Sequence, residues 1–510
     1  MRSSFFEFNV AKTGLFTARS NLEITSHNVA NAETHGYSRQ YALQKANTPI
    51  NLFNGQGMIG TGSSVYGIGQ HRSFYLDKKY WSESPVLGEY RVKSTYLEIV
   101  EGVLNGASEN GIKSYFDDFF KSLQDLKTTS GDDTYRINML EVSQTLTKLV
   151  NTSAENLKKQ QNDINSEVKS VVNIINSIGQ QIKSLNKQIH TYELDGSKAN
   201  DLRDERARLV DGLSNYVNIS VEEKDNKFSV NINGYEFVNH VDAQVLTTVD
   251  RDSKRNPTDV PGLCDIYFEG SNLQFDIYHK NLKGELKGLI DLRDGNNSNL
   301  LGGQALETTN YKGVPHYLNK LNELVRTFAR AVNEGVDASG NPIPNVIGHE
   351  SGYDRDGNLG LPFFTNGGGT VVDYDLMTCE NFAVNQVIID DPKKIAAASD
   401  STSDESDNRV ILGFLNIPAY RSLFKEGKLE DYIVGVSSEL GITKKQADNF
   451  YENYNDVLNT IDNQRIEVYG VDVNEEMMNL MKYNQLYQAS AKLINIIDGI
   501  YDTCINRMGV

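Results

Sequence analysis

The chain has 510 residues, with 68 acidic against 50 basic side chains and a formal net charge of −18. That length is several domains rather than one. The acidic balance argues against nucleic acid, which needs basic patches, and against an anionic membrane surface. No apolar run approaches the length of a membrane span. The N-terminus, MRSSFFEFNVAK, lacks the apolar core of a secretory signal, so composition alone points to the cytosol. Cys264, Cys379 and Cys504 are far apart, cannot all pair and show no metal spacing, and read as isolated buried thiols.

In chain order, Ser4 and Glu7 form a capping box. Phe8, Ala11, Leu15, Ala18, Leu22, Thr25 and Val29 then follow a heptad spacing. After Gly36 the pattern turns irregular, and residues 41–80 predict an extended segment with at most a hairpin. Helix resumes near Pro85 and runs to about Asn105, where Asn105-Gly106 and Asn110-Gly111 break it. A short helix covers Ile112 to Lys127. The longest element spans Asp133 to Tyr192. Within it Ile164, Val168, Val171, Ile175, Ile178, Ile182, Leu185 and Ile189 keep a narrow seam. At roughly 90 Å that helix demands an elongated partner, either a second copy in a parallel coiled coil or other helices of the same chain.

From Val217 the period switches to two. Phe228, Val230 and Ile232 alternate up to Asn233-Gly234, and Tyr235 and Phe237 continue, a hairpin with a type I′ turn. A second alternation, Ile266 and Phe268 then Leu273, Phe275 and Ile277, flanks Gly270. Helix returns over Tyr317–Asn333, residues 335–376 read as loop, residues 377–400 hold a short strand pattern, and Asp400–Asp407 is a polar, exposed run. A helix from about Thr443 to Tyr469 leads to the last one. That final helix starts at Asp472, an N-cap with Glu475 behind it, and stops at Gly509. Its apolar positions are Leu480, Tyr487, Ile494, Tyr501 and Met508, with Tyr483, Ile497 and Cys504 beside them and Leu486, Leu493 and Ile500 beyond. A stripe that wide asks for more than one neighbouring helix.

The fold class expected is mainly α with a β-rich insert: elongated, with a terminal α-helical coiled coil, a long helical bundle and an inserted β domain. The divisions expected are 1–40 with 471–510; 41–216 with 305–335 and 436–470; an insert at 217–304; and a loop and β segment at 336–435.

Catalytic patterns are missing. No two of the eight histidines fall within one helical turn. His349-Glu350 lacks the second histidine of a zinc protease. Asp354-Arg355-Asp356-Gly357 has part of a calcium loop without its closing Glu, and reads as a turn. Gly367-Gly368-Gly369 lacks the Lys-Ser/Thr of a P-loop, and no nucleophile elbow appears. No catalytic residue, cofactor or metal ligand is expected.

The stretch SNLEITSHNVANAETHGYSRQ (20–40) resembles the N-terminal signature of flagellar axial proteins, and its Ser-Arg-Gln after Gly36-Tyr37 is the version of the hook-associated protein 1 family, FlgK. The tail GVDVNEEMMNLMKYNQLYQASAK is similar to that family's C-terminal signature. ANDLRDERARLVDGLSNYVNISV (199–221), LKGLIDLRDG (286–295) and NFAVNQVIIDDPKKIAAASD (381–400) resemble its internal motifs, in order. His35 departs from the family, which more often has Pro there, so the turn is expected to be less rigid.

The resemblance implies a structural adaptor at the hook–filament junction, not an enzyme. The terminal helices would form an inner tube, subunit beside subunit, and the long seam would pack in an intramolecular bundle. The subunit contacts implied are Leu15, Leu22, Asn28, Val29, Ala30, Asn31, Gly36, Tyr37, Met477, Leu480, Tyr487, Ile494, Ile497 and Tyr501. The partners implied are itself in a ring at the hook tip, the flagellar hook protein, hook-associated protein 3 (FlgL), and a FlgN-like export chaperone on the C-terminal helix, with no nucleic acid and no membrane. Localisation follows as extracellular, in the flagellum, after export by the flagellar type III apparatus. Two alternatives stand beside it: a sister axial protein (hook, distal rod or flagellin-like), and an enzyme carried in the β insert.

Overall fold

The computed structural model describes residues 6–51, 57–105, 111–128, 131–224, 227–271, 273–297, 300–301, 304–305, 309–402 and 407–507. Ser4, Gly106–Asn110, residues 403–406, Met508 and Gly509, which carried parts of the expectations above, lie outside them.

Helical spacing produces helices where the sequence carries it longest. They are α1 (Phe6–Ala30), α2 (Phe74–Asn105), α3 (Gly111–Thr128), α4 (Asp133–Tyr192), α5 (Asn200–Tyr216), α6 (Glu285–Asp294), α7 (Val314–Asn333), α8 (Gln386–Asp390), α9 (Arg409–Phe414), α10 (Leu429–Tyr469) and α11 (Val473–Asp502). The strands are β1 (Gln40–Ala46), β2 (Ile50–Asn51), β3 (Met58–Ile59), β4 (Ser63–Gln70), β5 (Ile219–Lys224), β6 (Lys227–Ile232), β7 (Tyr235–Asn239), β8 (Asp242–Ala243), β9 (Leu246–Asp250), β10 (Cys264–Phe268), β11 (Leu300–Leu301), β12 (Gln304–Ala305), β13 (Phe364–Asn366) and β14 (Phe382–Val384). The class is mainly α with small antiparallel sheets. The chain divides into two units, one of residues 1–87, 173–245 and 453–510, the other of residues 88–172 and 246–452.

In the first unit α1 lies along α11. Ala11, Ala18 and Thr25 of the heptad are buried, while Leu15, Leu22 and Val29 are only half-buried. The contact row is instead completed by Asn21, Ile24 and Asn28. Small residues face small residues here: a Cβ at Gly14 would stand 3.3 Å from Ser490 Oγ. Between the ends, β1 pairs with β4 in a hairpin, and β2 with β3 at its tip. The predicted β turn is present, with Asn233 at φ 45° and Gly234 at φ 85° joining β6 to β7 in the sheet β5-β6-β7-β8. This sheet covers the C-terminal half of the long seam. Phe237 of β7 is fully buried against Gly179 of α4, where an added Cβ would meet its ring at 2.6 Å. Asn186 of α4 donates to His240 O at 2.7 Å. Ile175 and Ile182 are fully buried within the single chain, so the seam is internal.

Two boundaries differ from expectation. Helix α2 begins at Phe74 and holds Pro85 in its interior, although proline lacks the N–H and crowds the preceding turn. Its first turn is fixed by buried Asp77, which ion-pairs with Arg72 and Arg465. Helix α10 begins at Leu429 rather than near Thr443, because Leu429, Tyr432 and Leu440 are buried.

The second unit is built on two cores. One is aromatic: Phe116, Phe119, Phe328, Phe364 and Phe382 meet edge-on, tilted or stacked, with ring centroids 4.8–5.9 Å apart. The other is polar and centres on the 286–295 motif. Gly288 lets α6 approach α2, since a Cβ would sit 2.7 Å from Glu89 O. Buried Asp291 holds Lys93 at 2.7 Å. Arg293 and Asp294, both with fully buried side chains, pair at 2.8 Å, and Arg251 binds Asp294 at 2.7 Å. Burial disfavours the Asp294 carboxylate, but the two guanidiniums outweigh it and hold its pKa below the ordinary value.

The Asp354 turn is closed by its own chain. The carboxylate accepts from Asp356 N at 2.9 Å, Asn358 N at 2.8 Å and Lys394 Nζ at 3.0 Å. His349 is a core histidine, fully buried, with Nδ1 at 2.5 Å from Leu361 O and Nε2 accepting from Ala396 N at 2.9 Å. Burial pushes its pKa down from 6.5 to about 4. A folded-state value below the unfolded one means the unfolded chain binds the proton first. The stability this neutral ring contributes is therefore complete above pH 6.5 and lost as pH falls towards 4, by up to about 3 kcal/mol. His349→Gln keeps a donor and an acceptor without the titration. Urea midpoints of wild type should fall more steeply over that window than those of the variant; equal slopes would refute this role.

Candidate functional site

The constellation that ties the ends of the chain together is built on the turn after α1. Gly36 adopts φ 82°, a left-handed conformation that suits glycine, and the chain reverses there. Asn28, 1 % exposed, is the pin. Its Nδ2 donates to Gln40 O at 2.9 Å and to Glu476 Oε2 at 3.1 Å. Its Oδ1 accepts from Gln40 N at 2.9 Å and from Tyr37 OH at 2.8 Å. One amide thus joins helix α1, the exit strand and helix α11. Asn31 turns back to His27 O at 3.0 Å and accepts from Thr34 Oγ1.

Each residue of Ser38-Arg39-Gln40 has its own partner. Ser38 donates from both N and Oγ to Asp204 of α5, at 2.8 Å each. Arg39 reaches Glu475 at 2.8 Å and buried Glu476 at 2.6 Å, at the start of α11, and its N–H donates to Tyr469 O. Gln40 Nε2 donates to Asp201 at 2.6 Å. Asp472 caps α11 by accepting from Asn474 N and Glu475 N.

Behind these lies a chain of ion pairs. Arg72 bridges Asp204 and Asp77, at 2.8 Å each; Arg465 bridges Asp77 and Asp211 at the same distance; Trp81 Nε1 donates to Asp211 at 2.6 Å. Burial raises the Asp204 and Asp211 carboxyls above the usual range, opposed by Arg72 and Arg465. Tyr469 OH donates to Ser73 O at 2.7 Å. Three motifs far apart in sequence, 20–40, 199–221 and 470–492, therefore meet in one hydrogen-bonded junction. Its residues are structural donors and acceptors, and every side chain named here is bonded to another group of the chain.

The remaining expected contact residues fall on two faces. Leu480, Ile494, Ile497 and Tyr501 are half-buried on the heptad face that α11 turns to α1. Tyr487 stands at its edge, Ala30 and Gly36 are exposed, and Met477 is 51 % exposed. A second row, Met478, Met481, Leu486, Leu493, Ile496 and Ile500, is about half exposed or more along α11. Sequence reading passed over Asp201, Asp204 and Glu476 as contact residues, although the motifs containing them were in view. Arg72, Asp77 and Arg465 gave no signal, because nothing in spacing relates positions so far apart.

The family model described as the flagellar hook-associated protein FlgK helical domain matches residues 97–364. Residues 462–508 match the C-terminal model of basal body rod FlgEFG proteins, and residues 8–37 the flagella basal body rod protein model. Flagellar hook-associated protein 1 of Bacillus subtilis is 28 % identical, covering 100 % of this chain and 99 % of that protein. The Escherichia coli protein of the same name is 23 % identical over 98 % and 99 %. The solved flagellar hook junction protein FlgK of Burkholderia pseudomallei superposes with a TM-score of 0.56 at 14 % identity, covering 77 % of this chain and 99 % of that one; this likeness is one of fold.

Proposed function

Because the chain belongs to the flagellar hook-associated protein 1 family, a structural family of the hook–filament junction, we propose that it assembles as a ring on the hook tip through α1 and α11. In this reading it sits on the hook protein and presents a platform for hook-associated protein 3, and through it the filament. The observation that supports it is the second face of α11. One face is occupied by α1; the other carries methionine, leucine and isoleucine in a continuous exposed row. Apolar surface of that extent on a monomer marks an interaction site, and heptad spacing suits neighbouring helices of the same kind. The contact residues of α1 and its turn that are half-buried or exposed, Leu15, Leu22, Val29, Ala30 and Gly36, would lie between subunits, while Asn28 and Tyr37, held within the chain, would fix the angle between α1 and α11.

The same row would need cover before assembly. An export chaperone on α11, and passage through the flagellar type III apparatus, complete the proposal. The match to rod-protein models at both ends favours shared terminal helices across axial proteins, while the match over residues 97–364 separates this chain from a hook, rod or flagellin-like one. Deletion of the gene should leave hooks of normal length without filaments, with flagellin shed into the medium. Filaments of normal length on the deletion strain would refute the assignment.

A further inference from the structure

The second unit contains a cleft of about 850 Å³ whose floor is the polar face of α7. Lys158, Lys254, Lys320, Arg326, Arg330 and Lys425 line it, against the carboxylates of Glu323, Asp375 and Glu380. A cationic excess is unusual in a chain of net charge −18, and a concave site with an excess of one sign focuses its field on an incoming charge.

Several of these cations have no carboxylate of their own among the described residues. Arg326 spends its guanidinium on backbone carbonyls, Met377 O at 2.6 Å and Asp375 O at 3.1 Å, which leaves its charge uncompensated. Arg330 is held more loosely, over the Tyr374 ring and in an ion pair with Glu334 at 3.6 Å, and its Nε has no hydrogen bond among the described residues. Lys254 and Lys425 are exposed and form no ion pair among the described residues. Lys158 and Lys320, by contrast, are paired, with Glu380 and with Glu426. Lining the cleft as well is Thr258, only 8 % exposed, whose hydroxyl has no partner among the described residues.

We propose that this cleft docks an acidic peptide segment of another protein, one with several neighbouring carboxylates. The floor from Asn319 to Arg330 is roughly 16 Å long at about 1.5 Å per residue, the reach of about five extended residues. Its cations are spread along that length rather than gathered at one point, which fits a string of carboxylates better than a single small anion. Arg326 and Arg330 offer planar forks suited to carboxylates, and the Thr258 hydroxyl is a donor in want of an acceptor.

The test uses the full chain and fluorescein-labelled hexaglutamate, followed by anisotropy. Saturable binding that weakens as salt is raised is expected, with labelled hexaglutamine not binding. The double variant Lys254→Glu/Lys425→Glu alters two exposed side chains with no ion pair among the described residues, so its melting temperature should match wild type while affinity falls about tenfold or more. Arg330→Gln should weaken binding as well. Absence of saturable binding, or equal affinity in the charge-reversed variant, would overturn the proposal. So would saturable binding of pyrophosphate, lost in that variant, with no binding of hexaglutamate.

Discussion

Ile175→Asp should lower monomer stability by roughly 4 kcal/mol or more, whereas Ile496→Asp should change it by no more than about 0.5 kcal/mol and still abolish filaments. Ile175 is fully buried in the α4 seam. There a carboxylate loses the packing of the isoleucine and must be desolvated or expelled. Ile496 is 59 % exposed on α11, so in the free chain the new charge meets water, and surface substitutions cost little. In the proposed ring the same position is covered, and the charge would be buried between subunits. Urea denaturation of the two purified variants gives the first half of the result; electron microscopy of flagella from the complemented strains gives the second. Secreted protein must be measured in parallel, because a weakened chaperone contact would also leave hooks bare. Equal losses in denaturation would place the outer row of α11 in the monomer's own core. Normal filaments with Ile496→Asp would remove that row from the assembly interface.

Asn28→Ala should destabilise the junction of the first unit by about 3–5 kcal/mol. The substitution leaves Gln40 N and O, Tyr37 OH and buried Glu476 without their common partner. Each orphaned buried group costs on the order of 1–3 kcal/mol, partly relieved where water reaches Tyr37. The loss should be local. Amide exchange should speed up in the last turn of α1 and the first of α11, while the aromatic core around Phe328 keeps its protection. Glu476→Gln is the finer probe. It removes the charge facing Arg39 but keeps the shape, and Arg39 retains Glu475 at 2.8 Å, so a smaller loss is expected. A cost below about 1 kcal/mol for Asn28→Ala would mean that the amide fills space and does not pin the two helices.

The sequence by itself determined the elements whose signal is periodic or local. The end helices, the whole of α4, the Asn233-Gly234 turn, the left-handed Gly36 and the Asp472 cap follow from side-chain spacing or from one residue's backbone preference, and such signals need no knowledge of distant residues. It also carried the family resemblance, because five motifs in order are a one-dimensional pattern. Tertiary structure alone decided what those motifs do. Ser38, Arg39 and Gln40 acquire meaning only when Asp204, Glu476 and Asp201 are folded against them, and the α4 seam finds a β-sheet over its C-terminal half, since any apolar surface of the right shape buries a stripe equally well. Pro85 within α2 and the early start of α10 are likewise tertiary decisions: burial of Asp77 with its two arginines, and of Leu429 and Tyr432, outweighs the local preference read from sequence. The two rows of α11 show the division best. Spacing reveals that the stripe is too wide for one partner, but only packing against α1 determines which row is already occupied and which remains exposed.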